Sequence, residues 1–181
     1  MKVFAALCLF SVAVVSALEP ITEKEVHELQ ATWGKAILAI TEAYPKTHVE
    51  VALKAAGELY NYGRGGVQFK PTKAQEHPFR PTATGALSYF VGNVPGGYDE
   101  DGGFAHNNGE GWSKVKFENK GGISLNGEIA VAMGEYTFTN KKTGKDVKVE
   151  YTFGYKRNAD GMARIFLHHS SKPYPMPDKS S

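Results

Sequence analysis

The chain has 181 residues, with 21 Lys and Arg against 19 Asp and Glu, and a formal net charge of +2 at pH 7. Neither sign dominates and no basic stripe interleaved with aromatics occurs, so no nucleic-acid partner is expected. The one cysteine, Cys8, lies in the N-terminal apolar run. The rest of the chain has no thiol for disulfides, nucleophilic catalysis or zinc ligation.

Met1-Lys2, the apolar run Val3 to Val15 and the small-x-small ending Val15-Ser16-Ala17 have the pattern of a secretory signal peptide. The expectation is a signal over residues 1–17, cleaved after Ala17, and a single domain over 18–181. The apolar run is short for a membrane span, so no membrane association is expected once it is removed. The alternative is a buried N-terminal helix.

Thr22-Glu23-Lys24-Glu25 has the form of a capping box. Val26, Leu29, Trp33, Ile37, Ile40 and Tyr44 follow at helical spacing until Pro45. Thr47-His48-Val49-Glu50 has the form of a second capping box, followed by the apolar stripe Val51, Ala52, Ala55, Leu59 and Tyr60, with Gly63, Gly65 and Gly66 as the stop. Val67 to Lys70 is expected to be a short strand, and Ala86 to Gly92 fits either a short helix or a strand. Asn93 to Gly111, rich in Gly, Asp and Asn, is expected to be a long exposed loop.

The second half alternates. Strands are expected over Val115–Glu118, Ile123–Leu125, Ile129–Thr139, Val147–Tyr155 and Arg164–Ser170, with hairpin turns at Asn126-Gly127 and Lys142 to Lys145. Val147, Val149, Tyr151, Phe153 and Tyr155 share one face, opposite Lys148, Glu150 and Thr152, as in a half-buried antiparallel strand. Helices first and a meander later predict an α+β fold: N-terminal helices packed on a curved, mainly antiparallel sheet that forms a cone with a pocket.

The last strand ends in Leu167-His168-His169-Ser170-Ser171. Alternate side chains share a face, so His168 pairs with Ser170 and His169 with Ser171, and one face carries an imidazole beside a hydroxyl. Tyr89, in an apolar run, and Thr72, after a strand end, are further candidates to line a pocket. Each has a plainer alternative: a core histidine satisfied by a backbone carbonyl, a core tyrosine, and a turn-stabilising threonine beside Pro71.

Other chemistries find little support. His27, His48, His77 and His106 lack metal-ligand spacing, and His27-Glu28 lacks the partner of a His-Glu-x-x-His motif. Asp99-Glu100-Asp101-Gly102 lacks the ligand series of a calcium loop. Nucleophile elbows and phosphate loops do not occur.

The helix–helix–sheet order and the ending His168-His169-Ser170-Ser171-Lys172-Pro173 resemble the association domain of calmodulin-dependent kinase II, a member of the nuclear-transport-factor-like (cystatin-like) superfamily. Within it, four blocks in order are similar to the iota class of carbonic anhydrase: Phe69 to Ala74, Ala86 to Gly92, Val149 to Tyr155 and Leu167 to Ser171. The resemblance spans about Thr22 to Tyr174. It implies reversible hydration of CO2 to bicarbonate with no cofactor and no metal, and it carries over Thr72, Tyr89, His168 and Ser170 as catalytic residues. Thr72, Tyr89 and Ser170 would bind substrate by directed hydrogen bonds. His168 would accept a proton or orient the attacking water. His168/Ser170 is preferred to His169/Ser171 because the superfamily's His-x-Ser pattern aligns there.

The resemblance also implies a homodimer. Two alternative functions are a non-catalytic, oligomerising association module and an isomerase or cyclase of the ketosteroid-isomerase type, for which Glu118, Glu135 and Glu150 are the available acids. The expected location is the secretory pathway, ending outside the cell or in an endomembrane or plastid compartment of an alga. Ala17-Leu18-Glu19-Pro20 loosely resembles a plastid-targeting motif, with Leu18 in place of the usual aromatic.

Overall fold

The computed structural model describes residues 18–175, so the expected signal peptide lies outside the described residues. Helices α1 (Glu23–Ala43) and α2 (His48–Leu59) come first, then strand β1 (Gln68–Lys70) and helix α3 (Ala83–Val91). Strands β2 (Trp112–Asn126), β3 (Ile129–Asn140), β4 (Asp146–Arg157) and β5 (Ala163–Ser171) complete the chain. The sheet order is β1-β5-β4-β3-β2. Only the β1–β5 pair is parallel. This is the expected α+β architecture of helices on a curled sheet.

The alternation in β4 decides which face the helices cover. Val149, Tyr151, Phe153 and Tyr155 are buried, while Lys148 and Glu150 are exposed. Trp33, projecting from α1 onto that face, meets Phe90, Phe117, Tyr136, Phe138, Phe153 and His168 edge-on, with ring centroids 5.7 to 6.3 Å apart. Edge-to-face contacts suit the ring quadrupoles, at about 0.5–1.5 kcal/mol per pair beyond area burial.

The first helix starts as the sequence suggests: Glu25 N–H donates to Thr22 Oγ1 at 3.2 Å. The reciprocal arm of the box is diverted. The Glu25 carboxylate takes both Arg157 Nη atoms, at 2.8 and 2.6 Å, and Arg157 also donates to the carbonyls of Glu19 and Pro20. This ties the start of the domain to the end of β4. At Thr47 the second expected box does not form, because the side chain makes no cap hydrogen bond. Helix α2 stops at Leu59, and Tyr60 is extended, forming a parallel bridge with Ile165 of β5.

Two irregularities shape the sheet. The two short strands expected at Val115 and Ile123 are one long strand, β2, broken by a bulge between Glu118 and Gly122. The bulge fits because Gly134 opposite has no Cβ, which would otherwise overlap the Glu118 carbonyl. In β5, Gly154 pairs with Leu167 but Tyr155 pairs with Ile165, so Phe166 is an extra residue. That bulge reverses the inside–outside parity of the strand. Ala163 and Ile165 are buried before it, and His168 and Ser170 after it.

The segment from Asn93 to Gly111 is not the exposed loop expected from its composition. It contains a 3-10 turn over Phe104–Gly109, and Asp101, Ala105 and His106 are buried. Arg80, fully buried, donates to Asp101 Oδ1 at 2.8 Å, and Ser88 of α3 donates to Asp101 Oδ2 at 2.6 Å. Polar residues that suggest solvent bond one another inside, although Arg80 Nε and Nη1 have no hydrogen-bond partner among the described residues.

Candidate active site

The four sequence candidates come from three segments of one wall: the end of β1, helix α3 and strand β5. Phe69, the middle residue of β1, lies in register with His168, which lies in register with Phe153 of β4. Thr72 follows the end of β1 and donates to Ser170 Oγ at 2.9 Å. Tyr89 projects from α3, which resolves the helix-or-strand ambiguity of that run. Thr82 caps the helix by accepting from Gly85 N–H at 3.1 Å, and Gly92 ends it at φ +68°, a conformation that suits glycine. The Tyr89 hydroxyl lies beside the backbone amides of Lys73 and Thr72. The structure therefore gathers Thr72, Tyr89, His168 and Ser170. It turns His169 to the exposed side, and Ser171 donates there to Glu150 at 3.2 Å.

His168 is 2% exposed. Its ring stacks on Phe69 at 4.5 Å and meets Phe153 at 4.1 Å. Among the described residues no backbone carbonyl bonds to the ring. Its partners are two phenols, Tyr60 Oη at 2.8 Å from Nδ1 and Tyr136 Oη at 3.4 Å from Nε2. Trp33 Nε1 in turn donates to Tyr60 Oη at 2.9 Å. Burial first, and the neighbouring His169 second, push the His168 pKa well below the ordinary histidine value, so the imidazole is neutral at physiological pH.

Trp33, Tyr60 and Tyr136 were not among the sequence candidates. Their spacing marks them as core, and their rings are core. The signal in the sequence is that all three carry a polar tip, which a buried ring must satisfy somewhere. Tyr136 also lies beside the Ser170 hydroxyl, and burial raises its pKa strongly, as it does that of Tyr89. Both phenols stay protonated and can act as donors.

The wall opens on one side. A cavity of about 180 Å³ is lined by Tyr89, Lys73, Asp101, Phe104, Asn107 and Asn108, among others. Phe104 stacks on the Tyr89 ring at 5.4 Å, which leaves the phenol as the boundary between the open cavity and the buried cluster. Glu100 fixes the segment that carries Thr72. Its carboxylate accepts from the backbone N–H groups of Gln75, Glu76 and His77 at 2.7, 3.0 and 2.8 Å, and from Arg80 at 3.2 Å. Burial works against the charge, but these donors outweigh it and bring the Glu100 pKa down to about 2.

The acids considered for an isomerase are elsewhere. Glu135 pairs with Lys120 and Lys148, Glu118 with Lys116, and Glu150 is exposed beside Ser171. Among the described residues, no three His, Cys, Asp or Glu side chains gather in a metal-binding group.

Neutral imidazole, protonated phenols and aliphatic hydroxyls can do one thing well together: donate directed hydrogen bonds to a small oxyanion away from bulk water. The comparisons with known proteins agree with that chemistry. Residues 24–172 match the family model described as metal-independent carbonic anhydrase. A metal-independent carbonic anhydrase of Nostoc sp. is 39% identical over 159 residues, which cover 85% of this chain and 75% of that protein. The crystal structure of a cyanobacterial iota-carbonic anhydrase complexed with bicarbonate superposes with a TM-score of 0.81 at 36% identity, covering 91% of this chain and 100% of that one. The four sequence blocks and the fold thus lead to one assignment: this chain belongs to the metal-independent carbonic anhydrase family.

Proposed function

We propose that this carbonic anhydrase interconverts CO2 and bicarbonate at Thr72, Tyr89, His168 and Ser170, without a metal ion. The observation that carries the reading is the part-buried Thr72–Ser170 hydroxyl pair, 2.9 Å apart, beside a neutral imidazole and two protonated phenols. A similar protein, the cyanobacterial enzyme, was solved with bicarbonate bound.

In hydration, a water oxygen bonds to the CO2 carbon, one O–H bond of that water breaks, and the proton passes to solvent through the polar cavity beside Tyr89. Negative charge develops on the former CO2 oxygens. The Tyr89 and Ser170 hydroxyls meet that charge as fixed donors, and Thr72, whose hydrogen goes to Ser170, leaves the Ser170 hydrogen free for the substrate; one such bond to an anion is worth about 1.5–3 kcal/mol. Holding water and CO2 side by side removes a further orientational cost. His168 holds the Tyr136–Ser170 side of the site in place.

The test is CO2 hydration by the purified protein in excess chelator. Full activity is expected. Activity that disappears on chelation and returns with zinc or manganese refutes the metal-free site. A homodimer is part of this reading; light scattering that gives a monomer mass ends it. Targeting to the secretory pathway rests on residues 1–17, and an uncleaved N-terminus in the native host counts against it.

A further inference from the structure

We propose that Trp33 and Tyr60 are positioning residues that hold His168 as its Nε2–H tautomer, so that His168 serves the site as a hydrogen-bond donor and not as a proton acceptor. This rests on the reading of the cluster as the CO2/bicarbonate site.

The argument is a count of hydrogens. An indole N–H can only donate. Trp33 Nε1 has Tyr60 Oη as its partner at 2.9 Å, so Tyr60 accepts there. Tyr60 keeps one hydrogen of its own. Its hydroxyl is buried, and the other partner among the described residues is His168 Nδ1 at 2.8 Å. A buried hydroxyl without an acceptor is strongly disfavoured, so Tyr60 donates and Nδ1 accepts. A neutral imidazole carries one hydrogen, which leaves it on Nε2. That atom faces Tyr136 Oη at 3.4 Å. An Nε2–H donor turns the Tyr136 hydrogen away from the ring, toward the Ser170 side.

The surrounding rings hold this arrangement. Phe69 and Phe153 pin the imidazole plane, and Trp33 meets it edge-on at 5.8 Å. The ring therefore cannot turn over to exchange its two nitrogens without displacing the core. Among the described residues its hydrogen-bond partners are the two phenol oxygens. The indole and the first phenol thus set the direction of every hydrogen in the chain that reaches the hydroxyl pair.

The test is long-range ¹⁵N–¹H correlation of the full protein labelled at histidine nitrogen, with the His168 signal assigned by its loss in His168→Gln. The wild-type spectrum should show a protonated Nε2 and a bare Nδ1 for His168. Tyr60→Phe should abolish that single pattern and lower kcat for CO2 hydration roughly tenfold, the scale of one oriented hydrogen bond, with KM within about twofold because no substrate contact is touched. Trp33→Phe, which keeps a ring, should give a mixture of tautomers and a smaller loss. A wild-type signal with hydrogen on Nδ1 overturns the proposal, and that measurement needs no variant to fold. Retention of both pattern and kcat in Tyr60→Phe also overturns it. A wild-type protein that shows the Nε2–H pattern but hydrates no CO2 supports the tautomer assignment and refutes the functional reading, so the two failures are separable.

Discussion

Tyr89→Phe isolates one donor. The ring is 5% exposed and packs on Phe69 at 5.6 Å and Phe104 at 5.4 Å, and phenylalanine keeps those contacts. What disappears is the hydroxyl beside the Thr72 and Lys73 amides. Its net worth to folding is about 1 kcal/mol, a fall in Tm of about 2–4 °C for a domain of this size. Toward an anion the same hydroxyl is worth about 1.5–3 kcal/mol, so kcat/KM should fall roughly 10- to 150-fold. The overall equilibrium is fixed, so hydration and dehydration must lose the same factor. Stopped-flow assays in both directions, with urea unfolding of the same preparation, measure both quantities. A variant with kcat/KM within twofold of wild type and an unchanged urea midpoint refutes the placement of Tyr89 at the reacting atoms.

Ser170→Ala and Thr72→Val should each lower kcat/KM roughly 10- to 100-fold, and the double variant should lose less than the product of the two, because the hydroxyls share one bond; strict additivity in the kinetic cycle disproves their coupling. Glu100 has a folded-state pKa depressed from 4.5 to about 2. Its contribution to stability is complete above about 4.5 and is lost as pH falls through about 2. The stability gap between wild type and Glu100→Gln should therefore narrow over that window in acid denaturation, and a constant gap contradicts the role given to the carboxylate. His168 is also depressed in the folded state. The neutral ring is fully compatible with folding above about 6.5, and below that pH the unfolded chain gains a proton that the folded chain refuses. Unfolding free energy should fall more steeply with acid in wild type than in His168→Gln, and parallel curves overturn the assignment of a neutral buried ring.

The helices and the β3–β4 meander were legible because each is a local pattern: a 3.6-residue stripe ending at Pro45, and a two-residue alternation from Val147 to Tyr155. The single strand β2 was not. Asn119-Lys120-Gly121-Gly122 has turn composition, and only the facing Gly134 makes room for the bulge. Asn119 reaches the interior there, donating to Gln30 at 3.0 Å and accepting from Tyr151 at 2.5 Å. The buried segment around Asp101 was equally hidden, because its partner Arg80 lies 21 residues earlier and no local rule connects them. At the site, the identities of Thr72, Tyr89, His168 and Ser170 came from a resemblance. The phenols that flank His168 arrive from the end of α2 and from β3, far apart in the chain. Such non-local juxtapositions leave no periodic trace, and so Tyr60 and Tyr136 had the look of ordinary core.

The extra residue at Phe166 bears on any attempt to transplant this chemistry. Counting by twos from Ile165 would send His169 and Ser171 indoors. It is the surplus residue that admits His168 and Ser170 instead. The neighbouring strand makes room for it only at Gly154, where a side chain would come within 2.9 Å of both Leu167 and the Phe166 ring. A designer who copied the four polar residues onto a smoothly pleated cone would obtain a barrel with its imidazole on the rain side. The kink and the glycine facing it have to travel with the alcohols as one cassette.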